Sequence, residues 1–316
     1  MKLRSALAAL VATMAFMGPA QAQGRPCDRA CLRTTLDGFL GAVVAHDPGR
    51  TALDYVFRQT ENAVLTPAGG GIWQSITALG VTQRRYVDPV TGNALYFGTI
   101  REGDKTAIAS LRVKVDHGKV SEAEWNIVRK SDRGITGDPG ATPFDPDRLA
   151  RTPPVERVVP RGDRLPRETL IGIVNGYFDG ITAQSGRTVM GEPGCVRLEN
   201  GLEVTGHPLR DANDIGLDGK ADCRSGYAGL NIANVAARRY LMVDEEAQVV
   251  VASAVFLRVP GNPKHRNYFM ELFAIDHGKL HLIHSAMLYA DPALPLPNWP
   301  PYDGNFQVPP TVRIVQ

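Results

Sequence analysis

The sequence predicts an α+β fold that occurs twice in one chain, and three observations carry that reading. First, short fragments recur in the same order. Glu61-Asn62 returns as Glu199-Asn200, Arg84-Arg85-Tyr86 as Arg238-Arg239-Tyr240, and Asp116-His117-Gly118-Lys119 as Asp276-His277-Gly278-Lys279. The offsets run 138, 154 and 160 along the chain, growing as loop insertions in the second copy would make them grow. A period of that size is a domain and not a solenoid repeat. Second, each copy opens with an amphipathic helix of identical spacing. Third, strands then follow as a run and do not alternate with helices, which separates α+β from βαβ architecture.

The elements follow in order. Leu32, Leu36, Phe39, Leu40 and Val43 mark one helical face, and Leu170, Val174, Tyr177, Phe178 and Ile181 repeat it. Pro166 and Glu168 suit the first turn of the second helix. Thr60 to Leu65 and Leu198 to Glu203 read as a turn into a strand. The stretch Gly71 to Tyr86 aligns without a gap on Ser225 to Tyr240. Further strands are expected at Ala94–Thr99, Ile108–Val115 and Val120–Val128, answering to Val249–Leu257, Phe269–Ile275 and Leu280–Leu288. Asp-His-Gly-Lys is expected to be a hairpin turn, because glycine supplies positive φ and aspartate tolerates turn geometry. The expected sheet in each copy is curved and antiparallel. Domain limits follow: 23–130 and 166–290, joined by a Pro/Gly-rich linker at 131–165 and ending in an irregular tail at 291–316.

Residues 1–22 read as a secretory signal peptide. Lys2 and Arg4 precede the apolar run Ala6–Met17, and Ala20-Gln21-Ala22 offers cleavage after Ala22. The expected location is periplasmic or secreted, with no membrane association once the signal is removed. Without Lys2 and Arg4 the chain carries 33 basic and 33 acidic residues, a balance that does not point to nucleic acid. The even cysteine count suits disulfides in an exported chain. Cys195 and Cys223 flank the second-copy insertion, and Cys27 and Cys31 stand near a helix start, although four cysteines allow three pairings. No Cys-x-x-Cys spacing favours a metal site.

The helix, then Phe57 and Thr60-Glu61-Asn62-Ala63-Val64, then strands ending in Asp-His-Gly-Lys-Val/Leu, resemble the NTF2-like (SnoaL-like) superfamily. The resemblance covers about 27–130 and 165–290, and is narrowest to secreted tandem NTF2-like proteins. It implies two cone-shaped domains, each a curved sheet wrapped round helices and enclosing an apolar pocket. It further implies packing as a pseudo-dimer within one chain, or as a homo-oligomer. Members include isomerases, dehydratases, cyclases, epoxide hydrolases, lyases and non-catalytic proteins, so fold fixes no reaction. Its enzymes commonly work without a metal or organic cofactor, and none is expected here. The strand after the acidic pair often holds the base; that place falls at Thr66 in the first copy and at Glu203 to Thr205 in the second.

Chemistry is expected in the second copy. Alternation puts His284 on the face of Leu280, Leu282, Ala286 and Leu288, making it an interior base candidate beside Glu203, Glu271 and Tyr227. A core histidine bonded to backbone is the plainer reading. Substrate-binding candidates are Trp73, Glu61, Asn62, Glu199, Asn200, Arg239 and His207. For Glu-Asn a turn or cap role competes, and for Arg239 a cross-strand ion pair does. Residues 211–222 match a calcium loop in part, with acid, Asn, Gly and acid at positions 1, 3, 6 and 12, but Ile215 and Asp218 break the pattern. No Gly-x-Ser-x-Gly elbow or phosphate-binding loop occurs. The sequence therefore points to an exported protein binding a small, partly apolar molecule as a cofactor-independent lyase, isomerase or hydrolase. The alternative is a non-catalytic periplasmic binding or scaffold protein.

Overall fold

The computed structural model describes residues 27–205, 222–227 and 230–291. Helix α1 (Arg29–Val44) is capped by Asp28, whose carboxylate accepts from the Cys31 amide at 2.9 Å, inside the loop closed by the Cys27–Cys31 disulfide. All five apolar positions read from its periodicity are buried. Six strands follow: β1 (Leu53–Glu61), β2 (Val64–Thr66), β3 (Ala78–Asp88), β4 (Asn93–Glu102), β5 (Lys105–Asp116) and β6 (Lys119–Arg129), with the short helix α2 (Ile72–Ser75) between β2 and β3. After α3 (Pro146–Arg151), helix α4 (Arg167–Thr182) opens the second unit. It continues with β7 (Gly191–Glu199), β8 (Leu202–Glu203), β9 (Ile232–Asp244), β10 (Val249–Arg258), β11 (Arg266–Asp276) and β12 (Lys279–Ala290). No helix among the described residues is long and apolar enough to cross a membrane.

The two sheets have the same six-strand order, β2-β1-β6-β5-β4-β3 and β8-β7-β12-β11-β10-β9. The α+β class and the doubling hold, but the sheets are mixed and not antiparallel, because β1 runs parallel to β6 and β7 parallel to β12. The short periodic stretches around Glu61 and Glu199 hid these first strands, which are bent by register shifts and, in β7, interrupted by Gly, Pro and charge. Equivalent pairs recur at fixed offsets: Glu61 lies opposite Trp125 as Glu199 lies opposite Ser285, and Leu111 opposite Trp125 as Glu271 opposite Ser285. Along β3 and β9 the gapless alignment fails. Arg84 faces Phe97, and Arg239 faces Ser253, so Arg84 matches Arg239 and Arg85 matches Tyr240. Register shifts in both strands displace the pairing, and one residue of slip exchanges sheet faces.

Both Asp-His-Gly-Lys turns close hairpins, with positive φ at histidine and glycine alike (51° and 76°, then 43° and 77°). Two left-handed central residues are what a tight hairpin requires. Asn62 and Asn200 also sit at positive φ and use their side-chain amides as ladder groups. Asn62 exchanges bonds with the Ile127 amide and carbonyl, and Asn200 with those of Met287.

Each sheet is covered on both faces, so β4 and β10 show continuous burial over eight residues. The helix-side faces form two separate cores, one around α1 with Trp73 and Trp125 and one around α4 with Phe178, Phe269 and Phe273. The opposite faces share a third core, in which Leu95, Phe97, Ile108 and Val128 meet Met242, Val251, Met270 and Leu272. Inside it Glu124 of β6, with no exposure, takes a two-pronged contact from Arg239 of β9, and also accepts from Arg112 (3.2 Å) and the Tyr268 hydroxyl (3.3 Å). Burial alone would raise the Glu124 pKa, but the charges and hydrogen bonds of Arg239 and Arg112 hold it below the ordinary carboxylate value. At the rim the contacts are reciprocal. Asp244 accepts from Arg29 (2.9 Å) and the Val87 amide (3.1 Å), while Asp88 accepts from Arg167 (2.6 Å) and the Val243 amide (3.0 Å).

Residues 131–165 are strapped across both sheets. Arg84 donates to the Pro154 carbonyl at 2.8 Å, Tyr86 to the Val155 carbonyl, and Arg157 to the Ala247 and Ile275 carbonyls. Disulfide Cys195–Cys223 closes the second unit's insertion.

Arg239→Met is expected to lower stability by about 3 kcal/mol, the low end for a broken buried pair because Arg112 still faces Glu124. The double variant Glu124→Met/Arg239→Met should recover most of that loss. Urea midpoints test this, and an unchanged midpoint for Arg239→Met alone would contradict it.

Candidate functional site

The helix-side core of the second unit contains charge, which an apolar core does not tolerate unpaired. Strand alternation on β7 aims Arg197 and Glu199 inward, two residues apart. Glu271 of β11 stands two strands away, directly opposite Ser285 of the intervening β12. The Arg197 guanidinium lies 3.2 Å from one Glu271 oxygen and 3.4 Å from Glu199, and all three side chains are at most 4 % exposed. The Tyr289 hydroxyl donates to Glu199. Tyr177 of α4 closes the group from the helix side, stacked edge-on against Tyr227 (6.2 Å between ring centres) and Phe273 (5.4 Å).

The electrostatics follow from burial. Removal from water pushes the Glu271 carboxyl up to about 7, and the Glu199 charge adds to the rise while Arg197 opposes it. Burial likewise lifts the Tyr177 hydroxyl well above its ordinary value, so it stays a hydrogen-bond donor. Three atoms here lack a hydrogen-bond partner among the described residues: the second Glu271 oxygen, the Tyr177 hydroxyl and the Ser285 hydroxyl. Unpaired buried polar atoms are uncommon in folded proteins and each calls for an explanation. The arrangement supplies an acid–base group that titrates near neutrality beside a hydroxyl donor, with a fixed cation to orient it. That is the equipment of proton transfer.

The first unit's core also has unpartnered buried polar atoms, Gln59 Nε2 and Trp125 Nε1, but no buried ion-paired carboxylate on their face of the sheet among its described residues. By the strand pairings and the helix repeat, Arg197 answers to Gln59, Glu271 to Leu111, Ser285 to Trp125 and Tyr177 to Phe39. Two indoles fill that core, with the Trp73 ring N–H donating to Gln59 at 2.8 Å.

A family model described as "Domain of unknown function (DUF8021)" matches residues 163–287, which is the second helix-and-sheet unit. No curated protein matches the chain. Among solved structures, the chain is similar to an NTF-2 like protein of unknown function from Burkholderia xenovorans LB400. The identity is 13 %, over 41 % of this chain and 97 % of that one, with a TM-score of 0.27. A score that low decides neither fold nor function.

Of the residues singled out from sequence, Glu271, Glu199 and Tyr227 lie in this core. The Tyr227 hydroxyl is occupied by the Cys223 carbonyl. His284 does not lie there. Register shifts beside Leu280–Leu282 reverse the alternation, so His284 faces the core shared by the sheets, 6.0 Å from the Phe97 ring, and bonds the Thr152 carbonyl at 2.8 Å. Burial lowers its pKa to about 4, so the ring is neutral there. Glu203 is also outside, half-buried and paired with Arg148 of α3. Arg239 is held by Glu124 between the sheets. In the first unit Trp73 is core, Glu61 accepts from the Ile72 amide (2.7 Å) and Arg129 (3.0 Å), and Asn62, like Asn200 in the second, serves the ladder. His207 and most of the 211–222 loop lie outside the described residues.

Sequence reading missed Arg197, Ser285 and Tyr289. The signal was present between the copies: Gln59 to Arg197 and Leu111 to Glu271 are changes of opposite charge that meet in space.

The raised Glu271 pKa gives a signed prediction. The acid contributes stability below its unfolded value, near 4.5, and loses it as pH rises through about 7. Glu271→Gln, which mimics the protonated acid, should match the wild type at about pH 4.5 and gain on it up to about pH 7.5. Denaturant midpoints across that range check this, and a constant difference would count against it.

Proposed function

We propose that the second unit is a small-molecule site that works by acid–base chemistry without a cofactor, as a lyase, isomerase or hydrolase. Glu271 moves the proton, Tyr177 donates to the developing oxyanion, and Arg197 fixes the carboxylate in place. The observation that carries this reading is the group of three unpartnered buried polar atoms beside a carboxyl whose pKa is raised to about 7. The substrate is small and partly apolar, since phenyl rings surround the polar cluster. In this reading both units are NTF2-like cones. The reciprocal Asp88 and Asp244 contacts support a pseudo-dimer in one chain, because exchanged equivalent contacts are the mark of two-fold packing. The first cone, filled by indoles, serves as scaffold.

Export completes the proposal. The two disulfides and the basic-then-apolar start of the chain support it. Intact mass of protein recovered from a periplasmic fraction should correspond to a chain starting at Gln23, and full-length cytoplasmic protein with reduced thiols would argue against it.

For the site, native mass spectrometry of purified protein is expected to show a co-purifying small molecule that Glu271→Gln and Tyr177→Phe release. For a substrate so found, the rate should bend near pH 7 in the wild type and fall at least about 100-fold in Glu271→Gln, the usual range for a lost general base. Undiminished turnover in that variant would sink the assignment.

A further inference from the structure

A second site lies away from the buried cluster, where the strap crosses the junction of the two units. A groove of about 400 Å³ opens between α1, the end of β3, the turn after β9 and residues 155–158. That volume falls in the range of small-molecule sites. Five arginines line it (Arg29, Arg33, Arg84, Arg85 and Arg157) against three acids, Glu156, Asp244 and Glu246.

The donors divide into two sets. Arg29 is fully used by the Val87 carbonyl, Asp244 and Glu246, and Arg157 by two carbonyls and Asp276. The other three keep donors in reserve among the described residues. Arg33 makes a single bond, to the Arg85 carbonyl at 3.2 Å. Arg84 spends Nε on Pro154 and one terminal nitrogen on Gln83 and Glu156 (3.4 Å). Arg85 spends Nε on Asp37 and one terminal nitrogen on Gln83. Two of the acids are committed elsewhere, to Arg29 and Arg164, and Glu156 is mostly exposed. Tyr86, Val155 and the exposed Val158 supply apolar wall.

The repeat provides an internal control. At the corresponding face of the second unit Arg33 becomes Ile171, Ala30 becomes Glu168, Arg85 becomes Tyr240, and the match of Arg84 is Arg239, which Glu124 holds. The arginine that the second unit keeps there, Arg238, is held by the Val235 carbonyl (2.8 Å), Asn175 (2.7 Å) and Asp179 (2.6 Å), so the set of donors in reserve is particular to the first unit.

We propose that this groove binds a small organic oxyanion, its charged head on Arg33, Arg84 and Arg85 and its apolar body on Tyr86, Val155 and Val158. Forked guanidinium donors suit the planar carboxylate and the phosphate or sulfate ester alike. Calorimetric titration of the full chain with benzoate, phenyl phosphate, benzamide and inorganic phosphate tests it. Benzoate or phenyl phosphate is expected to bind, and Arg33→Glu, an exposed helix position, to weaken that binding at least about ten-fold. Glu168→Gln, at the position that mirrors Ala30, and Glu271→Gln in the buried cluster should leave it unchanged. The proposal is overturned if benzamide binds as tightly as benzoate, if inorganic phosphate alone binds, if Arg33→Glu retains wild-type affinity, or if Glu271→Gln abolishes binding. Thermal midpoints of each variant, measured without ligand, separate lost binding from lost folding.

Discussion

A carboxylate shut away from water needs a cation, and here one of its two cations comes from the other sheet. Glu124 belongs to β6, Arg112 to β5 of the same sheet and Arg239 to β9. Arg239 brings the two-pronged contact, and losing one partner of a buried pair costs about 3–5 kcal/mol. Once the pair forms, the leucines, isoleucines and methionines around it are also covered, each contributing about 1.5–3 kcal/mol. The rim aspartates then fix how the sheets are set: Asp88 and Asp244 bind a backbone amide and an arginine on the opposite side. The strap is the last layer, since its carbonyls accept from Arg84 and Tyr86 of one sheet and His284 of the other, while its own Arg157 donates to the Ala247 and Ile275 carbonyls.

With the outer faces engaged in holding the sheets together, only the helix-side cores are available for chemistry. They have diverged. One is packed with Trp73 and Trp125, and the other holds an arginine between two glutamates under a tyrosine. The same strand order carries both, and β1, β5 and β6 pair as β7, β11 and β12 do, so at the charged cluster the difference lies in side chains. The family match falls on the unit whose core holds the charges.

The doubling and the helices were legible because both depend on local pattern. Helical spacing around Leu36 and Val174 survives whatever it packs against, and Asp-His-Gly-Lys encodes its turn by itself. Strand faces were not legible to the same degree. Counting alternate residues from Leu280 puts His284 on the wrong face, because irregular pairing between the two positions reverses the count. Arg239 shows the same effect on β9. Glu271 was visible as a carboxylate within an apolar run. Its partner Arg197 was not, because β7 has Gly, Pro and charge where a strand ordinarily shows alternation. Long-range pairing decides such positions, and a single sequence records it only where two copies can be compared.

The exchange of Gln59 and Leu111 for Arg197 and Glu271 also bears on how the two cores diverged. A buried arginine keeps its proton and cannot be neutralised, so it needs an acid beside it. Glu199 supplies one at 3.4 Å whether or not Glu271 is present. A buried glutamate without its arginine takes up a proton and becomes an uncharged acid. Each change is therefore tolerable by itself, and neither had to wait for the other.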